Sequence, residues 1–447
     1  MDNILNNKIC IINFSNNVNK FVTKQKKTKK QNFFIKPYTP VINNKKLELL
    51  PINTKNLIKK NYPNRNKPLI KYMQDLKNNL INYMDGSNKP YNYSQFLKNN
   101  YNLISFNFGN KNDPIIYQQD SSEILNNLLN TITSYFDTYI NKKINTSDTY
   151  IDDILEKIIL DKNIELSPMA YLFGYIEDSS YTYTKNKIIN KNYKYEIITS
   201  IFNFNVVDSK KIEENVNYIN YINIKDIKEY FMKNQYETYL EQEESNIAAG
   251  INNKILNNYL PIPFGKYFIC TLNNTYYSPK INRKVNIFIN HVCDNYDENY
   301  DFFGAVIHDG NSGNSGHYYS IIKKKNLFFV YDDLIIECLG NNIDYVNKYL
   351  SNKTIKYLIY KYNKTSLLLN LKDGKKTDLW HDPTIKCFNK LHNTNLNLIK
   401  EVINNNIRGV YNPGAICYFN SLMSILVNMP EFVYLILNHD IFPICHN

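Results

Sequence analysis

One stretch near the end of the chain, GVYNPGAICYFNSLMSILVNMPEF over Gly409–Phe432, changes its pattern halfway along. Residues 409–416 read as a tight polar loop with Pro413, Gly414 and Ala415. From Cys417 the apolar residues Phe419, Leu422, Met423, Ile425 and Leu426 recur three and four apart, the period of a buried helix. This pattern places a cysteine at or next to a helix N-terminus. There the helix dipole and unpaired backbone N–H groups favour a thiolate and lower the thiol pKa. Asn412, five residues earlier, sits where a side-chain N–H can be donated to an oxyanion. A cysteine opening an ordinary core helix fits the same pattern. The stretch gains chemical meaning only with a histidine and an acid to join it.

The rest of the chain bounds the alternatives. Its 447 residues are 43% hydrophobic and 14% aromatic, enough for a sizeable core in one large domain or two to three ordinary ones. The longest apolar stretch, 421–444, is broken by Asn428, Pro430, Glu431, His439 and Asp440, which argues against a membrane span. The first residues lack the basic-then-apolar pattern of a signal peptide. Seven cysteines (10, 270, 293, 338, 387, 417, 445) are dispersed with no CxxC pair. That reads as reduced thiols in a cytoplasmic or nuclear setting, with no knuckle-type zinc site. No metal or other cofactor is expected.

Charge is concentrated at one end. Residues 1–66 hold 14 basic and 2 acidic residues, leaving 39 of each sign elsewhere, so the formal net charge of +12 resides in this arm. Its most basic run, Thr23–Lys30, reads as a solvated tail or as a patch for nucleic acid or a nuclear import factor. Leu69, Ile70, Met73, Leu76, Leu80, Ile81 and Met84 then follow a helical period ended by Gly86. Asp120 and Glu123 open a second helix with a capping-box-like start, followed by an apolar face of Ile124, Leu125, Leu128, Leu129 and Ile132. Tyr181–Phe204 alternates like a hairpin, and 224–244 reads as a helix. From 264 the pattern becomes strand-like: 266–272, 285–289, 303–308, 318–323, 327–331 and 356–362. The fold class predicted is α+β, an antiparallel sheet packed on helices.

The second half of a site lies in AVIHDGNSGNSGHYYSIIKKKNLFFVYDDLIIEC, 305–338. A loop with three glycines, Gly310–Gly316, ends on His317 and lacks the Lys-Ser/Thr of a phosphate loop. Its glycines let backbone approach a ligand closely. With Lys324-Lys325-Asn326 as the turn, Lys323 faces Leu327 and His317 falls opposite Asp333, with Asp332 one residue away. Hairpin geometry alone thus brings a histidine beside an acid able to fix its tautomer and stabilise the imidazolium. A surface histidine beside turn aspartates is the plainer reading of the same hairpin. Cysteine, histidine and acid on separate elements follow the logic of a papain-like thiol hydrolase.

These residues carry a family resemblance. Asn412 through Ser421, NPGAICYFNS, resembles the cysteine box of the ubiquitin-specific proteases. Gly316-His317-Tyr318, preceded by His308-Asp309-Gly310 and followed by Tyr331-Asp332-Asp333, resembles their histidine box. Tyr117–Glu123, YQQDSSE, resembles their Gln-Gln-Asp helix, and Lys356–Tyr360 their closing strand. In that family the cysteine box comes first; here it comes last. A circular permutation is the simplest account, and the new connection of roughly 45 residues, 363–408, reaches about 150 Å when extended. The organisation implied is a basic arm at 1–66, helices and sheet with the histidine box at 67–363, a connecting linker at 364–408, and a cysteine-box helix at 409–447 completing the same domain.

The resemblance implies a deubiquitinating thiol protease acting at the terminal glycine of ubiquitin. Cys417 would be the nucleophile and His317 the base. Asp332 would orient His317 with Asp333 in reserve, and Asn412 would join the Cys417 N–H in an oxyanion hole. Gln119, Asp120 and Glu123 would hold the arginine-containing ubiquitin tail, with His308, Gly316 and Tyr318 on the substrate side of the channel. The sequence departs from the family at Ile416, Ser424 and Ser121-Ser122, and it lacks the paired CxxC motifs of zinc-binding fingers. Three other readings stand beside this one: a non-catalytic ubiquitin- or ubiquitin-like-binding module, a site completed between neighbouring chains, and nucleic-acid binding through the arm.

Overall fold

The computed structural model describes residues 67–85, 89–104, 118–136, 142–145, 168–178, 181–185, 188–192, 194–205, 221–222, 237–239, 251–257, 261–273, 275–278, 283–286, 288–289, 294–312, 315–350, 353–364, 368–370, 376–378 and 393–439. The basic arm lies outside these residues.

Helix α1 (Lys67–Tyr83) forms where the sequence pattern places it and buries Tyr72, Met73, Leu76, Leu80 and Tyr83. Ile81, assigned to the same apolar face, is 40% exposed. Helix α2 (Ser94–Ile104) packs on α3 (Ser121–Phe136), whose five predicted core residues are all buried. The Asp120 carboxylate caps α3 by accepting from Ser122 N at 2.8 Å and Glu123 N at 3.3 Å. A short helix α4 (Pro168–Phe173) is buried throughout.

The main sheet has eight strands: β1 (Phe202–Asn205), β2 (Tyr267–Asn273), β3 (Asn295–Asp297), β4 (Tyr300–Ser312), β5 (Ser315–Lys324), β6 (Leu327–Asp332), β7 (Ile335–Gly340) and β8 (Thr354–Tyr362). The order is β7-β6-β5-β4-β8-β2-β1, with β3 paired on β4. Every pairing is antiparallel except β1 on β2. Strands run close to their predicted positions because Val, Ile, Phe and Tyr fill both faces of the central strands. Strand β7 was not predicted; it follows a two-residue turn at Asp333-Leu334, where Asp333 takes a positive φ of 49°.

Two predictions are corrected. The β5–β6 turn holds two residues, Lys325-Asn326, not three, because Lys325 accepts φ 54° and lets Lys324 pair with Leu327. Within the predicted helix 224–244, Glu237–Tyr239 is a strand paired with 251–257; the remainder lies outside the described residues. Tyr181–Lys185 and Ile188–Asn192 do form a hairpin.

The span 364–408 contains a helix. Helix α5 (Ile343–Tyr349) precedes β8, and α6 (Asn393–Asn405) occupies the end of that span. Helices α7 (Cys417–Leu426) and α8 (Pro430–Leu437) follow, bent 92° apart, and every residue of both is buried. Helix α7 packs on β5, and α8 on α6 and α1. Burial of each Leu, Phe or Met there contributes ~1.5–3 kcal/mol. No single helix among the described residues is long and apolar enough to cross a membrane.

Candidate functional site

The cysteine loop is fixed from both sides before α7 begins. Arg408, 5% exposed, donates to Asn82 O (2.8 Å), Tyr83 O (2.9 Å), Lys89 O (2.6 Å) and Asp85 Oδ1 (3.1 Å). Next, Tyr91 N donates to Gly409 O at 3.0 Å, Tyr411 N to Tyr91 O at 2.7 Å, and Val410 N to Asp333 O at 2.8 Å. The loop is thus threaded between the end of α1 and the β6–β7 turn. Asn412 Oδ1 accepts from Gly414 N (3.2 Å) and Ile416 N (3.3 Å), which curls the chain into the helix.

Cys417 is the first residue of α7 and is 4% exposed. Helix α3 approaches it end-on. Ser121 Oγ donates to Tyr418 O at 3.1 Å and lies 3.2 Å from Tyr357 Oη, tying the start of α3 to α7 and β8. Gln118 Nε2 then lies 3.9 Å from Cys417 Sγ. The family resemblance implied a role for Gln119 and assigned none to Gln118. The docking of α3 on α7 puts Gln118 at the sulfur, and only its position one residue before Gln119 signals it.

His317 stands at the opposite end of β5 from the hairpin turn, paired with Asp309 of β4. Its Nε2 lies 2.5 Å from Asp332 Oδ1, leaving Nδ1 as the nitrogen able to exchange a proton with the thiol. The Asp332 hydrogen bond, and next the Cys417 thiol, raise the imidazole pKa to about 10 against the opposing effect of burial. The one-residue register correction leaves this pairing intact, because the ladder stops at Ser320–Tyr331 and the Asp332 side chain bridges the open end.

Asp333 has a different task. Its Oδ2 accepts from Asn412 Nδ2 at 2.9 Å and its Oδ1 from Asn420 Nδ2 at 2.7 Å, while His317 Nε2 is 4.0 Å away. One carboxylate therefore holds the candidate oxyanion donor and the first turn of α7. His317, Asp332 and Asp333 lie close enough together to suggest a cation site. Their atoms are engaged with one another and with the two asparagines, which suits a proton-transfer site.

Of the residues expected on the substrate side, Gly316 is exposed, while His308 and Tyr318 are 1% and 3% exposed. A Cβ on Gly316 would sit 2.3 Å from His308 Nε2, so the absence of a side chain lets the Gly316 backbone lie against that ring. Neither ring nitrogen of His308 has a hydrogen-bond partner. Burial, reinforced by Lys356, lowers its pKa to about 4, so the ring is neutral near pH 7. Asp120 and Glu123 are exposed, and partial burial followed by the Asp120 charge raises the Glu123 pKa.

A thiol at a helix start, an imidazole and a buttressed carboxylate are the working parts of a cysteine-dependent hydrolase. The model of the ubiquitin carboxyl-terminal hydrolase family matches residues 9–360, and the chain belongs to that family. No curated protein matches the chain. Solved structures similar to it include the SAGA Ubp8/Sgf11/Sus1/Sgf73 DUB module bound to ubiquitin aldehyde, at 12% identity and TM-score 0.35, covering 56% of this chain and 50% of that one. The same module with a Ubp8 variant, bound to monoubiquitin, gives 13% identity and TM-score 0.31, covering 46% and 44%. The yeast SAGA DUB module with an Sgf73 mutant gives 13% and 0.31, covering 48% and 46%. The chain spans about half the length of these structures.

Proposed function

We propose that the protein is a cysteine-type deubiquitinating hydrolase that cleaves peptide or isopeptide bonds at the C-terminal glycine of ubiquitin. The observation carrying this reading is the convergence of Cys417, His317, Asp332 and Asn412, from segments up to 100 residues apart, on one site beside the exposed Gly316. Cys417 Sγ attacks the glycine carbonyl, and the oxyanion takes hydrogen bonds from the Cys417 N–H, Asn412 and Gln118. His317 gives its proton to the departing amine, leaving a thioester. Water, deprotonated by His317, then releases the carboxylate and restores the thiol. Gly316, exposed and without a side chain, leaves room for the narrow Gly-Gly end of ubiquitin. Asp120 and Glu123 supply negative charge for the basic tail that precedes them. A pure receptor has no use for the buttressed imidazole.

We further infer a circular permutation. The family match ends at residue 360, before the cysteine box, and the box order differs from the family's by one cyclic shift. The pinning of 408–411 between Tyr91 and Asp333 supports closure of the site within one chain. A thiolate nucleophile suits a reducing compartment, cytoplasm or nucleus. The arm's affinity for nucleic acid or an import factor is a separate possibility that salt-dependent binding measures.

The experiment is reaction of the purified protein with ubiquitin bearing a C-terminal electrophile, beside Cys417→Ala. A single adduct lost in the variant is expected. Binding without an adduct would overturn the hydrolase reading in favour of a receptor.

A further inference from the structure

The end of the main sheet opposite His317 carries a concave site. A cleft of about 390 Å³ opens among the ends of β4, β5 and β8, helix α6 and the start of α8. Along β5 it lies about 20 Å from the catalytic histidine, six to seven residues at strand rise. Five lysines line it, Lys323, Lys324, Lys325, Lys361 and Lys400, against the carboxylate of Asp301. Lys361 also pairs with buried Glu431 at 3.3 Å, and Asp301 accepts from Asn363 Nδ2 at 2.9 Å. The wall remains strongly positive after those pairings.

Lys324 makes this more than a charged surface. It is 3% exposed, and its ammonium donates to Asn406 O at 2.7 Å and Tyr331 Oη at 3.2 Å, both neutral acceptors. Among the described residues no carboxylate pairs with it. Three N–H donors meet two acceptors, so one donor and the whole charge are uncompensated. An ammonium buried on neutral groups is costly, and burial, with Lys325 beside it, pulls its pKa down to about 7. Helix α8 begins at Pro430 on the same wall with no side-chain cap, adding the positive end of its dipole. The cleft volume falls in the range of small-ligand sites. The arm 1–66 has the wrong sign to fill it.

We propose that this cleft binds a compact phosphate-bearing anion, with Lys324 as the buried contact and Lys323, Lys325 and Lys400 as the rim. An anion there supplies the counter-charge Lys324 lacks and bridges the sheet to α6 and α8. It thereby clamps the helices on either side of the cysteine loop onto the sheet. The lysines act as point charges, which suits several phosphate oxygens clustered in a small volume. Nothing in this site depends on the hydrolase reading.

Isothermal titration of the full chain with inorganic pyrophosphate, at ionic strength held constant with sodium chloride, tests the proposal. Saturable one-to-one binding is expected, weakened at least tenfold in Lys323→Ala/Lys400→Ala, with hydrolysis of a ubiquitin C-terminal substrate unchanged. Lys324→Met should raise the Tm of the free protein by removing the buried charge, and abolish the Tm rise that pyrophosphate gives the parent. Vesicles of phosphatidylcholine with phosphatidylinositol bisphosphate identify the source. Sedimentation that needs the same lysines assigns the phosphate to a lipid headgroup, and binding of pyrophosphate alone assigns it to a free solute. Heats that are not saturable, or that survive the lysine variants, overturn the proposal. So does binding lost only when Lys26, Lys27, Lys29 and Lys30 are reversed to Glu.

Discussion

The two adjacent acids make separable predictions, because Asp332 holds the imidazole and Asp333 holds Asn412 and Asn420. Asp332→Asn removes the main support of the His317 proton. The rise of the imidazole pKa from 6.5 to about 10 corresponds to ~5 kcal/mol. The side chain is 40% exposed, so solvent screening removes much of that, and Cys417 shares what remains. About 2 kcal/mol falls to Asp332, a ~30-fold loss in kcat/KM. The alkaline limb of the pH–rate profile, set by loss of the imidazolium proton, should move to lower pH. The pair's contribution to stability has the same sign: it is fully present below the ordinary 6.5 and is lost as pH rises toward about 10.

Asp333→Asn sets an amide against two amide donors, leaving one of them unpaired at a cost of ~1.5–3 kcal/mol. It should lower Tm by several degrees and reduce kcat through a misplaced Asn412, with the alkaline limb unmoved. The assay is hydrolysis of a fluorogenic ubiquitin C-terminal amide between pH 6 and about 10, with thermal unfolding of each variant. If Asp333→Asn shifts the alkaline limb and Asp332→Asn does not, the assignment of the two carboxylates is wrong.

Three further outcomes are expected. Gly316→Ala drives a methyl into His308 Nε2 and to 2.8 Å from Asp309 O, and should cost about 1–3 kcal/mol and raise KM; adding His308→Ala relieves only the ring contact and should recover at most part of the lost Tm, which calorimetry reads. Arg408→Met leaves the carbonyls of Asn82, Tyr83 and Lys89 without their shared donor, so the urea midpoint should fall by the equivalent of ~3 kcal/mol with m unchanged. Burial opposes ionisation of Glu431, yet Lys361 and the Tyr267 hydroxyl outweigh it and hold its pKa at about 2. Its contribution to stability is therefore present above the ordinary 4.5 and lost as pH falls through about 2. The difference in urea midpoint between parent and Glu431→Gln should shrink over that interval.

Much of the site could be read from local pattern. Cys417 at a helix start follows from apolar spacing and a preceding Pro-Gly loop, both set by neighbours in the chain. His317 beside Asp332 follows from hairpin closure, and an error of one residue in the turn did not separate them because the side-chain contact lies beyond the ladder. The cap of α3 by Asp120 is equally local. These features depend on backbone hydrogen bonds and spacing over fewer than about 20 residues, which a sequence records directly.

Contacts across the fold were decided by packing. Gln118 reaches the sulfur only because Ser121 ties α3 to α7, and Asp333 reaches Asn412 and Asn420 only because the β6–β7 turn adopts a positive φ beneath the cysteine loop. His308 is buried with the Gly316 backbone close against its ring. Strand Glu237–Tyr239 forms where helical periodicity is present, since a neighbouring strand supplies its hydrogen bonds. The uncompensated charge of Lys324 exists only once α6 covers the end of β5. The chain by itself determined which residues carry chemistry. Tertiary packing decided which atoms face one another, because desolvation and hydrogen bonding act between neighbours in space that lie hundreds of residues apart in sequence.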